Sequence, residues 1–275
     1  MKKSSCSRLL LAAALGLAAC HKPAAHAPVI RVAVIGGMTM TGLWPRLAAQ
    51  FEADTGLRVE LVATGPKDVL TPVFRAGKVD LLTMHSSDQA TNLVADGYAT
   101  NLRPWARNEQ VIMGPPGDPA GIRGLRDGAA ALRKIAATHS PFIDAQGGGK
   151  RLVSELLWEK AGIRPVGDWV LKDESPSSSE LLHFAESRGA YAICGRIPVL
   201  AGKIPRGHME IMVQGDPDMQ RPFIVIEAAP HRFPSANIAG ARRLADYLVS
   251  DRGQDFLRRF AQEQPAGVPL FYPLK

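Results

Sequence analysis

The run Val29-Ile30-Arg31-Val32-Ala33-Val34-Ile35, closed by Gly36-Gly37, constrains the fold most. An almost unbroken β-branched stretch suits a strand covered on both faces, which is the setting of a parallel sheet. The next segments keep that sense. Thr41 to Thr55 places Leu43, Trp44, Leu47, Ala48 and Phe51 at helical spacing, and Gly56 stops it. Arg58–Ala63 and Val79–Met84 predict two more strands, with helices over Lys67–Ala76 and Ala90–Gly97. This β-α-β-α-β order closes through right-handed crossovers into a parallel sheet.

Gln110–Met113 then runs into Gly114-Pro115-Pro116-Gly117-Asp118-Pro119, a turn cluster that predicts a crossing into a second lobe. Helices are predicted over Leu125–Ala137, Arg151–Ala161 and Ser178–Ser187, with strands at Pro141–Ile143 and Ala190–Ile193. Strands Ile211–Val213 and Phe223–Ile226 flank Gly215-Asp216-Pro217, and helices Ile238–Val249 and Gly253–Ala261 close the chain. The expected division is residues 29–112 with 221–275 as one lobe and 113–220 as the other. Each lobe is expected to be a mostly parallel α/β sheet flanked by helices, with a ligand cleft between them. A chain of 275 residues, 46% of them hydrophobic, is long enough to bury two such cores.

The N-terminus reads as an export signal. Met1–Arg8 is basic, and Leu9–Ala19 is an apolar stretch shorter than the roughly 20 residues a membrane-spanning helix takes. Leu17-Ala18-Ala19-Cys20 resembles the bacterial lipobox. The resemblance implies a signal peptide over residues 1–19, a lipid on Cys20 and a periplasmic, membrane-tethered body. The bland alternative is an ordinary signal peptide cleaved after Ala19. Residues 20–28 are Pro- and Ala-rich and read as a tether. With Cys6 removed and Cys20 lipidated, Cys194 is the one thiol left, and its apolar neighbours Tyr191-Ala192-Ile193 mark it as buried.

Thirty-three Lys and Arg against 26 Asp and Glu give +7, and losing Lys2, Lys3 and Arg8 leaves +4. That is too mild, and too scattered, to point to nucleic acid. Gly147-Gly148-Gly149-Lys150 lacks the leading Gly and the trailing Ser or Thr of a phosphate loop. The seven His are widely spaced, and no nucleophile stands in a known catalytic motif. No metal, cofactor or enzymatic activity is expected. Binding is what remains.

Several phrases together carry a resemblance. Phe51-Glu52-Ala53-Asp54-Thr55-Gly56-Leu57-Arg58-Val59, Asp96-Gly97-Tyr98 and Asp118-Pro119-Ala120-Gly121-Ile122 come in order. Leu157-Trp158-Glu159-Lys160-Ala161-Gly162-Ile163, Gly189-Ala190-Tyr191 and Gly215-Asp216-Pro217 continue the series. Over Val29–Phe260 the chain resembles type II periplasmic solute-binding proteins, in particular the tungstate-binding proteins that feed ABC importers. The resemblance implies a two-lobed fold, an ABC permease as partner, a monomer, and a small anion as ligand, a tetrahedral oxyanion such as tungstate or molybdate. Two of that family's loops differ here. Its Thr-Thr-Thr-Ser run is Val34-Ile35-Gly36-Gly37, and its Arg-Gly-Asp-Asp-Ser-Gly-Thr-His loop is Asp144-Ala145-Gln146-Gly147-Gly148-Gly149-Lys150-Arg151.

Ligands of open α/β sheets collect at strand carboxyl ends, where helix amides point outward. That rule nominates Gly37, Thr39 and Thr41 after the first strand, Thr64 after the second and Ser86 after the third. Thr41, and Ser86 or Ser87, serve equally as helix caps. In the second lobe it nominates Gly148, Gly149, Lys150 and Arg151, or else a loop with solvated cations. Ser177 and Ser178 open a further helix, where the resemblance implies a Gly-rich turn facing the cleft; capping alone explains one of the serines there. Met38 and Met40 flank the first loop; such residues more often fill packing gaps, or else admit a softer or bulkier ligand. Besides the importer, a periplasmic sensor or scaffold on this fold remains an alternative.

Overall fold

The computed structural model describes residues 29–146, 148–263 and 268–274. In its first part β1 (Ile30–Ile35), α1 (Gly36–Met40), α2 (Leu43–Thr55), β2 (Val59–Gly65), α3 (Lys67–Arg75), β3 (Leu81–His85) and α4 (Asp88–Ala95) alternate. β1 pairs parallel with β2 and β3 and is buried from Val32 to Ile35, which is why its apolar run has no polar alternation. The helix expected from Thr41 is two helices. α1 begins on the glycines themselves, and Gly42, at φ 77°, turns the chain into α2. A residue without Cβ takes that left-handed conformation at little cost.

There follow β4 (Ala99–Gly114), α5 (Gly128–Ala137), β5 (Phe142–Asp144), α6 (Gly148–Ala161), β6 (Val170–Lys172) and α7 (Leu181–Glu186). Then come β7 (Ala192–Gly195), α8 (Arg196–Leu200), β8 (Glu210–Val213), β9 (Gln220–Ala228), α9 (Ile238–Val249) and α10 (Asp251–Gln262). The sheet order is β2-β1-β3-β9-β4-β7, with β8 also on β4, and β5 pairs with β6. Parallel pairing holds for β2-β1-β3 and for β5-β6. β9, β7 and β8 join antiparallel, because each returns against the through-running β4.

β4 joins the two lobes. From Ala99 to Glu109 it pairs with β9, and from Gln110 to Gly114 with β7 and β8. The partner change falls just ahead of the Gly/Pro cluster that marks the crossing in the sequence. The apolar cores divide likewise. One runs from Ile30 to Ala106 and from Phe223 to Phe271, and two smaller ones lie within Val111–Met219. Ile197 of α8 is the exception, packing into the first core from within the second stretch. α6 starts at Gly148, earlier than Arg151, and α7 starts at Leu181, later than Ser178. Among the described residues no helix is long and apolar enough to cross a membrane. Cys20 and the leader lie outside the described residues.

Candidate functional site

The carboxyl ends of β1, β2 and β3 meet at a cavity of about 560 Å³. Gly36, Gly37, Thr39, Thr64 and His85 border it from the first lobe, and Ile197, Pro198 and Lys203 from α8 and the turn after it. Thr39 Oγ1 donates to the Gly36 carbonyl at 2.9 Å and stands 2.8 Å from Thr64 Oγ1. Thr41 does not reach the cavity. Its hydroxyl donates back to the carbonyls of Gly37 at 2.9 Å and Met38 at 3.3 Å, closing the end of α1. His85 stacks on Phe223, ring centroids 4.1 Å apart, and its Nε2 lies 3.0 Å from Asn108 Oδ1. Burial, with the charges of Arg221 and Lys67, pushes His85 down to about 3. The ring is therefore neutral, and Nε2 carries the proton it donates to the amide oxygen.

A second cavity, about 470 Å³, opens beside the first at the β3 end. Its charge comes from a residue that sequence reasoning did not single out. Arg221 opens β9 and donates from Nη2 to the Ser86 carbonyl at 3.2 Å. Among the described residues no carboxylate comes within ion-pair distance of it. Burial lowers its affinity for the proton, which measures how poorly the positive charge is solvated. Gly149, in the first turn of α6, lies so close that a Cβ there would stand 1.7 Å from Arg221 Nη1. The guanidinium thus rests on the amide end of a helix, where the dipole adds to its charge instead of offsetting it.

Two neighbours sharpen this. Lys67, at the start of α3, is pushed down to about 8 by burial and by Arg221, with Asp88 and Asp68 opposing. Ser87 occupies the N-cap position of α4 but makes no side-chain cap, and its buried Oγ has no partner. Such an atom is costly unless a ligand or water meets it. Arg151 also borders this cavity but is held by Glu155 at 2.7 Å.

Other expected residues stand elsewhere. Lys150 Nζ is 3.6 Å from Asp173, so its charge is met within the protein. Ser177 bonds to Ser179 at 2.8 Å on an exposed stretch, and neither Ser177 nor Ser178 borders either cavity. Ser86 contributes its carbonyl, which holds Arg221, rather than a hydroxyl that reaches a cavity. Nothing local in the sequence marks Arg221. Only the antiparallel register of β3 and β9, His85 opposite Phe223, brings it to Ser86 and Ser87.

Two α/β lobes sharing a through-running strand, with a charged recess at strand ends where both lobes contribute, define a type II periplasmic solute-binding protein. The chain belongs to the bacterial extracellular solute-binding protein family, whose pattern matches residues 31–260. A Haloferax volcanii protein, provisionally named an ABC transporter anion-binding protein, is 30% identical over 241 residues, covering 85% of this chain and 68% of that one. The tungstate-binding protein TupA of Peptoclostridium acidaminophilum is 28% identical over 238 residues, covering 85% of this chain and 81% of that one. The solved structure of tungstate-binding TupA from Desulfovibrio alaskensis G20 matches with a TM-score of 0.71 and 26% identity, over 90% of this chain and 99% of that one.

Proposed function

We propose that this chain is the solute-binding component of an ABC importer for a small anion, which it delivers to a permease in the membrane. The observation that carries this is Arg221: a partly buried guanidinium at a helix amide end, beside a depressed lysine, with no carboxylate among the described residues within ion-pair distance of it. A monovalent or divalent anion supplies the missing charge. On this reading Arg221, Lys67 and Ser87 hold the anion, with Gly148 and Gly149 keeping the helix end open to it. Tungstate and molybdate are the first anions to try, on the strength of the relatives.

The protein acts by binding and not by catalysis on this reading. Cys194 is buried with its thiol pushed up to about 12, so it is no nucleophile. We further propose export as a monomeric lipoprotein held at Cys20, with lobes spanning 29–112 plus 221–275 and 113–220.

Calorimetric titration of the purified protein with tungstate, molybdate, sulfate, phosphate and small carboxylates tests the function. At least one should bind tighter than about 1 mM, and Arg221→Ala should weaken it at least about tenfold, or 1.4 kcal/mol. If no anion reaches that affinity, the anion-transport reading fails.

A further inference from the structure

The cavity at the β1 and β2 ends and the charged recess are adjoining but chemically unlike. Pro66 borders the first and Lys67 the second, and His85 borders the first while Ser87 borders the second. The charges of Arg221 and Lys67 at the recess bear on His85, which borders the chamber. The first is walled by Ile35, Met40, Ile197 and Pro198. Met40 is 43% exposed, an apolar thioether left uncovered at the mouth of a cleft. At about 560 Å³ the chamber falls within the roughly 300–1,000 Å³ typical of sites for organic ligands, whereas a tetrahedral oxyanion has five heavy atoms.

Thr39, Thr64, His85 and Asn108 are already paired, while Lys203, which also borders the chamber, is in none of those pairs. Thr39 gives its proton to the Gly36 carbonyl, so the 2.8 Å contact is Thr64 donating to Thr39. Asn108 Oδ1 receives the His85 proton. What the two threonines turn toward an occupant is lone pairs. A bare oxyanion here would meet Lys203 at one point of a wall otherwise made largely of methyl groups, the Met40 thioether and acceptor oxygens, which give a charge little in return for its lost water. Hydrocarbon, in contrast, gains from covering such walls.

We infer that the ligand is a small organic anion: an acidic head, whether carboxylate, sulfonate or phosphonate, drawn to Arg221 and Lys67, and an apolar body of a few carbons against Met40, Ile197 and Pro198. This rests on the anion reading above and narrows it.

The test uses matched pairs, sulfate against butane-1-sulfonate and phosphate against butylphosphonate, with tungstate and molybdate in the same series. Calorimetry on the purified protein at fixed ionic strength should give each alkyl anion at least tenfold higher affinity than its inorganic partner. The alkyl members should also show a more negative heat-capacity change, the mark of apolar burial. Met40→Ser should shrink the alkyl-to-inorganic ratio, and Arg221→Ala should weaken both members. Inorganic anions binding as tightly as the alkyl ones overturn the inference while the anion reading stands. An alkyl preference untouched by Met40→Ser overturns the placement in this chamber. Binding by neither member, with tungstate and molybdate also silent, removes the anion reading itself.

Discussion

Lys67 shows what a single residue reports about the site around it. Burial and the neighbouring Arg221 push its ammonium down to about 8, and Asp88 and Asp68 only partly offset them. A bound anion adds a negative charge beside it and raises that value back toward the ordinary lysine range near 10.4. Binding then takes up a proton around pH 8. Affinity should be level below pH 8 and fall as the pH rises through it, by at most about tenfold per unit. Titration in two buffers of different ionisation enthalpy counts the proton directly. No uptake at pH 8, in a protein that does bind, would place the anion away from Lys67.

At the scale of elements, the amide end of α6 decides whether Arg221 stays in place. Gly149 is not among the glycines at positive φ, so its backbone accepts alanine, and alanine is the better helix former by up to about 1 kcal/mol. Its Cβ, however, would stand 1.7 Å from Arg221 Nη1, and the flexible guanidinium must leave. Gly149→Ala should weaken anion binding as much as Arg221→Ala does, with an unchanged or slightly higher Tm by thermal unfolding. Gly148 and Gly149, read as leading into a helix from Arg151, lie inside it. The strands β1, β2 and β3 were legible in the sequence, β1 most plainly because its burial is written as a nearly continuous β-branched run, although β2 is exposed over most of its length. The first half of β4 was not. Arg103, Pro104, Arg107 and Asn108 break its pattern, and the register slips between Pro104 and Ala106 take up the proline. Thr41 and Lys150 looked like ligand contacts because composition shows what a side chain can bond to, not that a carbonyl or Asp173 is already there. Arg221 escaped notice for the opposite reason: its neighbours are supplied by strand register, across more than a hundred residues of chain.

Over the whole molecule, the connections between lobes converge on one buried ion pair. Glu109 stands where β4 changes partners, 1% exposed, and Arg196 opens α8 at 3%. Arg196 Nη1 lies 3.1 Å from Glu109 Oε1, and Glu109 Oε2 accepts from the Gly215 amide at 2.8 Å on the returning segment. The same Nη1 donates to the carbonyls of Val268 at 3.0 Å and Pro269 at 2.9 Å, while Tyr272 pairs through its backbone with Arg107. Outgoing strand, returning segment, α8 and C-terminal stretch are thus tied through two charges. Removing one partner of such a pair strands the other, at a cost of about 3–5 kcal/mol. Arg196→Met should therefore lower the urea midpoint strongly at pH 7, and Glu109→Gln added to it should recover most of the loss. The pH dependence comes from the carboxylate. Burial already pushes Glu109 upward from its ordinary value, and losing Arg196 pushes it further. A native carboxyl raised above its unfolded value binds a proton that the unfolded chain has released, so stability is lost as pH rises from the ordinary glutamate range through the native value. The deficit of Arg196→Met should be large at pH 7 and shrink near pH 4.5, where Glu109 can be buried neutral. Equal deficits at both pH values would mean that the stranded charge is not the cause, and that the lost contacts to Val268 and Pro269 are.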